Sequence, residues 1–332
     1  MKNLMSKRLF RILIKTLVTL LLIYVFFFLV VVLRLYVLKH SNPENPKFTN
    51  GELEMYMLDV GQGDAFVFLQ NDEVLLVDTG NIYDWNATNK ALKELGVKKI
   101  NCLIITHPHQ DHIGGLFSVC MNYKIDKLVT QNINPKEVPK REFTFHIYNF
   151  AIKVANFAYG NDLITFAREN GNYKNFSFAN SEVEFLGPDE EVYGIFNNYS
   201  LVFKVKYGDI SILMTGDMEY EVEEQLLAAQ KDLSATIYKA AHHGSNTSNE
   251  EAFVDAVNPD YVLISSENGN HNYFGHPVRR FMKYLESKKI AVYRTDEQGT
   301  VKFVIDGKSV ETDKPCGDYK SGTEYLKEKE TG

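Results

Sequence analysis

Cysteine is scarce: Cys102, Cys120 and Cys316 are the only three in 332 residues. That excludes a disulfide scaffold, and none of the three has the neighbours expected of a nucleophile or a metal ligand. Acidic residues are missing from the first 40 positions, which hold seven of the 36 Lys and Arg. The remainder carries 29 basic residues against 43 acidic ones, a net charge of −14. A general nucleic-acid binder carries a basic footprint. This balance therefore argues against non-specific binding of a polyanion, unless metals and a local patch compensate. A cleavage motif is also lacking: no small-x-small pattern follows the N-terminal apolar run. That run exceeds the usual signal-peptide core of about 7–15 residues.

The run itself, Thr16 to Leu33, is 18 residues without a charge. As a helix it would reach about 27 Å, close to a hydrocarbon core of about 30 Å. Leu35 to Leu38 extend it if Arg34 snorkels, so residues 16–38 are expected to be a single-pass anchor in the cell membrane. Lys2, Lys7, Arg8, Arg11 and Lys15 precede it. The excess of positive charge places the N-terminus in the cytoplasm and the rest of the chain outside. The expected organisation is a stub and anchor at 1–40, a Pro43- and Pro46-bearing linker at 41–50, one domain at 51–308 and a charged, apolar-poor tail at 309–332.

Within the domain, His107-Pro108-His109-Gln110-Asp111-His112 follows the apolar strand pattern of Ile100 to Ile105. Imidazole and carboxylate suit zinc, and also manganese or iron. Asp111 and His112 are adjacent and point in different directions, which suits two neighbouring ions better than one. Gly114-Gly115 lets the next helix start tightly against the site. Two more strand ends carry ligand types. Ile210 to Met214 delivers Asp217, whose two oxygens can bridge two cations. Thr236 to Ala240 delivers His242 and His243. Nine histidines placed at random would rarely do this.

Strands are also expected at Leu53–Asp59, Ala65–Leu69, Val74–Asp78, Lys127–Thr130, Val183–Leu186, Ser200–Tyr207, Tyr261–Ile264, Ile290–Arg294 and Gly299–Ile305. Helices are expected at Ala87–Leu95, Leu116–Asn122, Glu219–Gln230, Asn249–Val257 and Val278–Ser287. Asp59, Asp64 and Asp78 fall at strand ends, where each can face a site or cap a turn. His146 reads as a strand histidine within Phe143–Phe150. Ala158 to Asn180 reads as a substrate-facing loop or an irregular excursion. His271 reads as a loop residue.

The pattern resembles the metallo-β-lactamase-fold hydrolases, and more closely the soluble hydrolase-like domain of the ComEC/Rec2 competence proteins. The similar stretches are Leu58 to Ala65, Asp78-Thr79-Gly80, His107 through Gly115, Asn198 to Leu201, Thr215-Gly216-Asp217, His242 to Ser245, Tyr273 to Pro277 and Tyr293 to Asp296. The resemblance covers roughly residues 52–306 and implies an α+β fold, an αββα sandwich with two divalent metals at one edge. It implies His107 and His109 as ligands of the first ion. Asp111, His112 and His243 would hold the second, and Asp217 would bridge. His242 and His276 would face substrate. His109 stands where many competence relatives have Asp. The third histidine of the first site is absent, and Asn198 stands in its region. The implied cofactor is two zinc ions, with manganese as the alternative.

The implied reaction is hydrolysis by a water that the two cations acidify. Asp111 would orient that water, and His242 or His276 would handle the leaving group. The expected activity is a phosphodiesterase or nuclease acting on DNA or an envelope polymer. Alternatives are hydrolysis of choline-phosphate esters of the cell envelope, another metal hydrolase such as a lactonase or amidase, and a non-catalytic competence-associated domain. One helix cannot by itself form a DNA channel, so a separate channel is an expected partner.

Overall fold

The computed structural model describes residues 2–136, 138, 142–189, 194–267, 272 and 274–324. The helices are α1 (Lys2–His40), α2 (Ala87–Glu94), α3 (Gln110–Ile113), α4 (Leu116–Asn122), α5 (Phe143–Ala158), α6 (Tyr220–Ala228), α7 (Glu251–Val257), α8 (Arg279–Lys288) and α9 (Thr295–Gln298). The strands of the first half are β1 (Leu53–Met57), β2 (Phe66–Gln70), β3 (Glu73–Val77), β4 (Lys99–Ile100), β5 (Cys102–Ile104), β6 (Lys124–Ile125), β7 (Leu128–Thr130), β8 (Ile164–Phe166), β9 (Arg168–Glu169) and β10 (Asn172–Tyr173). Those of the second half are β11 (Phe176–Phe178), β12 (Ser181–Gly187), β13 (Val202–Tyr207), β14 (Ile210–Met214), β15 (Ile237–Lys239), β16 (Tyr261–Ile264), β17 (Ala291–Arg294), β18 (Val301–Ile305) and β19 (Val310–Thr312).

Two large sheets form among the described residues. The first runs β19-β18-β1-β2-β3-β5-β7-β8 and the second β11-β12-β13-β14-β15-β16-β17. Each sheet is antiparallel where tight turns join its strands and parallel where helices cross over. The strands read this way because they are covered on both faces: Phe66 to Gln70 is buried at every position. One face of each sheet meets the other through Met55, Phe66, Phe203, Ile212 and Phe303. The outer face of the first sheet packs against α2, α4 and α5, and that of the second against α6, α7 and α8. This is the αββα layering expected from the sequence.

Two stretches depart from expectation. Phe143–Phe150 is not a strand but the first half of α5. Its Phe145, Tyr148, Ile152 and Ala155 are buried at helical spacing, and His146 lies on that helix. Ala158 to Asn180 contains four short strands: β8 closes the edge of the first sheet and β11 that of the second. The segment after 308, by contrast, covers the domain as far as Glu324, within what its composition allows. β19 pairs with β18, Gly317 N donates to Val292 O, and Gly322 N donates to Pro277 O.

The apolar part of α1 is exposed, and Leu9–His40 is long and apolar enough to cross a membrane. Its last turns join the domain. Leu35 is buried, and Val31 and Val32 pack against the core that also contains Phe145 and Ile152. Arg34 Nε donates to Met121 O at 2.9 Å and Lys39 Nζ to Tyr159 O at 2.6 Å. Both cations thereby satisfy carbonyls at helix C-termini.

Candidate metal centre

The site gathers at the carboxyl ends of parallel strands, where open α/β sheets place their ligands. β3 leads to Asp78, β5 leads to His107, β14 leads to Asp217, and β15 leads to His242 and His243. Asp78, His242 and His243 take left-handed backbone conformations at φ 56°, 50° and 56°. Such geometry is costly for residues with a Cβ and concentrates at functional sites. Gly114 is required where it stands, because a Cβ there would run into the backbone of Asn81 and Ile82. The expected tight start beside the cluster is thus present.

Asp111, His112, Asp217 and His243 present ligand atoms that all lie within 4.8 Å of one another. Asp217 Oδ2 is 3.2 Å from His112 Nε2 and 3.4 Å from His243 Nε2. His243 Nε2 is also 3.4 Å from Asp111 Oδ2. His112 Nε2, His243 Nε2 and Asp217 Oδ1 are buried without a hydrogen-bond partner. Buried polar atoms are normally satisfied, so two orphaned imidazole nitrogens facing one carboxylate oxygen, Asp217 Oδ2, fit a divalent cation. The other nitrogens of these rings are held: His112 Nδ1 lies 2.8 Å from Asp78 Oδ2, and His243 Nδ1 lies 2.8 Å from Ser265 O. Such outer partners fix the tautomer and aim the free nitrogen. Asp78 is itself fixed by Thr106, whose N and Oγ1 donate at 2.8 and 2.7 Å.

His107 and His109 form a second pair beside this set. His107 Nε2 faces His109 Nδ1 at 2.9 Å. Two nitrogens sharing a tetrahedral zinc stand about 3.3 Å apart, so this pair fits one ion with little movement. Asn198 does not complete it. Its Nδ2 donates to Glu221 Oε2 and its Oδ1 accepts from Glu219 N, at the start of α6. Asn197 is the residue turned to the pocket. Its Oδ1 is buried without a partner, and its Nδ2 donates to Glu219 Oε1 at 2.9 Å.

His242 is less buried and has Nε2 3.9 Å from Asp217 Oδ2. His276 packs against it with ring centroids 5.6 Å apart. His242 lines the pocket that opens onto the centre, and His276 stands behind it. His271 and Tyr273 lie outside the described residues. A pocket of about 1000 Å³ opens onto the centre, lined by His109, Asp111, Asn197, Asp217 and His242. Its outer wall includes Asp59, Asp84, Glu267, Tyr83 and Phe274. No residue of 158–180 lines it.

Lys239 was not anticipated. It is fully buried in β15, with Nζ 2.5 Å from Asp64 Oδ2 and 3.7 Å from Asp217 Oδ1. Its sequence signal is a lone charge inside an apolar strand. Asp64 thereby acts as an internal counter-charge rather than a turn cap.

The charges are strongly linked. Burial alone would push His243 down, but Asp217, Asp111 and Asp64 outweigh it and hold its imidazole up, from 6.5 to about 9. Burial is likewise outweighed at His112, by Asp217 and Asp78, and its pKa is raised. A group raised above its unfolded value stabilises the fold below that value and loses the effect as pH climbs through the folded value. The metal-free chain is therefore expected to lose thermal stability from pH 6.5 to 9. The metal-loaded chain should show a shallower loss, because an ion replaces the proton. Thermal unfolding of the chelator-treated and metal-loaded full chain across that range checks this. A flat or rising profile in the metal-free chain contradicts it.

A family model of the metallo-beta-lactamase superfamily matches residues 58–266. ComE operon protein 3 of Bacillus subtilis (strain 168) is 28% identical over 272 residues, covering 76% of this chain and 33% of that protein. Competence protein ComA of Neisseria gonorrhoeae is 27% identical over 263 residues, covering 79% of this chain and 33% of that protein. The chain thus spans about a third of the length of the curated relatives it matches. Among solved structures, the metallo-beta-lactamase fold protein YhfI from Bacillus subtilis is similar at 12% identity, with a TM-score of 0.47 over 75% of this chain and 98% of that one. The chain belongs to the metallo-β-lactamase superfamily of metal-dependent hydrolases and resembles the ComEC/Rec2 competence proteins.

Proposed function

We propose that the chain is a membrane-anchored, metal-dependent phosphodiesterase, with α1 as the anchor, the N-terminus cytoplasmic and the domain outside. The observation that carries this is the pair of unpartnered His112 and His243 Nε2 atoms facing Asp217 Oδ2, with Asp111 beside them and the His107–His109 pair adjacent. His107 and His109 would hold one ion, Asp111, His112 and His243 the other, and Asp217 both. Two divalent ions there, zinc or manganese, would act as Lewis acids and acidify water near neutral pH.

The side chains supply the rest. Asp111 is the most exposed carboxylate of the set, and its pKa is lowered to about 2; burial opposes this, but His243 and His112 outweigh it. It can accept a hydrogen bond from the attacking water at any physiological pH. Burial, together with His243, pushes His242 down, and it likewise pushes His276 down to about 3. Both rings are therefore neutral at pH 7, each with one N–H to donate to a phosphoryl or leaving-group oxygen. We take DNA as the first substrate to test, because competence relatives give a DNA-related context.

A second reading rests on the outer wall. Asp59, Asp84 and Glu267 stand beside Tyr83 and Phe274. Carboxylates repel flanking phosphates, whereas carboxylates with aromatics suit a cationic group. That favours an envelope phosphodiester such as a choline-phosphate ester.

The test is elemental mass spectrometry of the purified full chain, followed by assay on bis-p-nitrophenyl phosphate, single-stranded DNA and p-nitrophenylphosphorylcholine. About two metal equivalents and chelator-sensitive turnover are expected for a dinuclear centre. Faster cleavage of the choline ester than of DNA supports the second reading. No metal after reconstitution and no turnover would sink both.

A further inference from the structure

α5 buries one apolar face and exposes another. Phe143, Ile147, Phe150 and Phe157 are 52–70% exposed and recur at i, i+4, i+7 and i+14, one stripe along the helix. An isolated exposed phenylalanine needs no explanation, but a contiguous apolar stripe marks an interaction surface. Its position says what covers it. α5 packs alongside α1, and the contact reaches into the apolar run, since Val31 and Val32 touch the same core as Phe145 and Ile152. If Thr16 to Leu33 occupies the hydrocarbon, the part of the domain touching Val31 and Val32 stands at the depth of the bilayer surface. Lys39, about 10 Å further along α1 and bonded to Tyr159 O, pins the C-terminal end of α5 in the headgroup layer just outside.

We propose that α5 lies in the membrane interface, with its Phe143, Ile147, Phe150 and Phe157 stripe sunk among the lipids beside α1. The inference rests on the reading of α1 as a membrane anchor. An interfacial helix buries its apolar face about 5–10 Å into the headgroup and acyl boundary, and phenylalanine suits that depth. Asn149 and Lys153 flank the stripe, where the Lys stem can lie along lipid with its ammonium in water.

The consequence reaches the metal pocket. Thr144, in the first turn of α5, lines it. Sixteen residues of helix span about 24 Å. The pocket mouth then opens at the lipid surface, roughly one such helix length from the anchor. The substrate is presented along the membrane rather than from bulk solution.

The test places a nitroxide on the full chain in phospholipid nanodiscs. Cys120→Ser and Cys316→Ser remove the accessible thiols, and Cys102 is buried. Single labels go on Phe150→Cys and Phe157→Cys, with Tyr24→Cys as the lipid reference and Ala256→Cys, exposed on α7, as the aqueous one. Collision with oxygen and with a nickel chelate is read at each. The expected oxygen-to-nickel ratio at 150 and 157 approaches that at 24 and exceeds that at 256 severalfold. Ratios equal to 256 overturn the proposal. So does shielding from both reagents with spin–spin broadening, which would mean a second copy covers the stripe. If position 24 itself reads as aqueous, the anchor reading fails instead. A second measurement uses Phe150→Ser with Phe157→Ser, both already outside the core. The melting temperature in detergent should be unchanged, while hydrogen exchange of the α5 amides in nanodiscs rises. Unchanged exchange counts against the proposal.

Discussion

Asp217→Ala is expected to remove tightly bound metal and abolish turnover. The carboxylate is the single acceptor that both His112 Nε2 and His243 Nε2 face, at 3.2 and 3.4 Å, and its second oxygen has no donor. Neither buried neighbour can replace it, because Asp64 is held by Lys239 and Asp78 by Thr106 and His112. Loss of an outer partner of a metal ligand costs about 10–100-fold in affinity or activity. Loss of a group shared by two ions should exceed that. Elemental analysis and a phosphodiester assay on wild type and variant read the effect. An unfolded variant would give the same loss, so a second readout is needed. Burial aside, Asp217 is the first cause that raises His243. A folded Asp217→Ala chain should therefore lose much of the pH 6.5–9 stability slope of the metal-free wild type. Metal content and turnover equal to wild type would show that the ligands are misassigned.

The sequence made most of this centre visible because each strand is a continuous apolar run stopped by a chemical residue. β14 at Ile210–Met214 and β16 at Tyr261–Ile264 match the expected spans residue for residue. The histidine cluster stood out for the same reason: nothing else explains ligand types at three strand ends. α5 was harder. Its buried Phe145, Tyr148 and Ile152 have helical spacing, but Phe143, Ile147 and Phe150 fill the opposite face. A helix apolar all round shows no period, and its aromatic residues read as strand. Asn198, in the region of the missing first-site histidine, is tied to Glu219 and Glu221, whereas its neighbour Asn197 lines the pocket. Asn197 and Asn198 share a 3-10 turn, Phe196–Tyr199, whose facing is set by Glu219 and Glu221 on another element. Such contacts leave no local trace. α9, four residues between β17 and β18, was missed because so short a turn has no period to read.

Lys239→Met is the change expected to cost the most stability. Lys239 is buried completely, between Asp64 at 2.5 Å and Asp217 at 3.7 Å, and donates to Gly216 O at 3.0 Å. Burial alone would discharge the amine, yet Asp64 and Asp217 outweigh it and raise its pKa. Methionine fills similar volume, so packing survives while Asp64 is stranded in a dry interior. Removing one partner of a buried ion pair costs about 3–5 kcal/mol, against a total stability of about 5–15 kcal/mol. In melting temperature that is roughly 2–4 °C per kcal/mol for a domain of this size. Metal affinity should fall as well, because Lys239 holds the Gly216 carbonyl that precedes Asp217. Thermal unfolding and metal titration of the full chain in detergent measure both. The double variant Lys239→Met, Asp64→Asn removes the stranded charge and should melt above the single variant. A single-variant cost of under about 1 kcal/mol, the scale of an exposed pair, would mean that Asp64 finds another cation or water. A double variant no better than the single would place the role of Lys239 in its hydrogen bond to Gly216 rather than in charge.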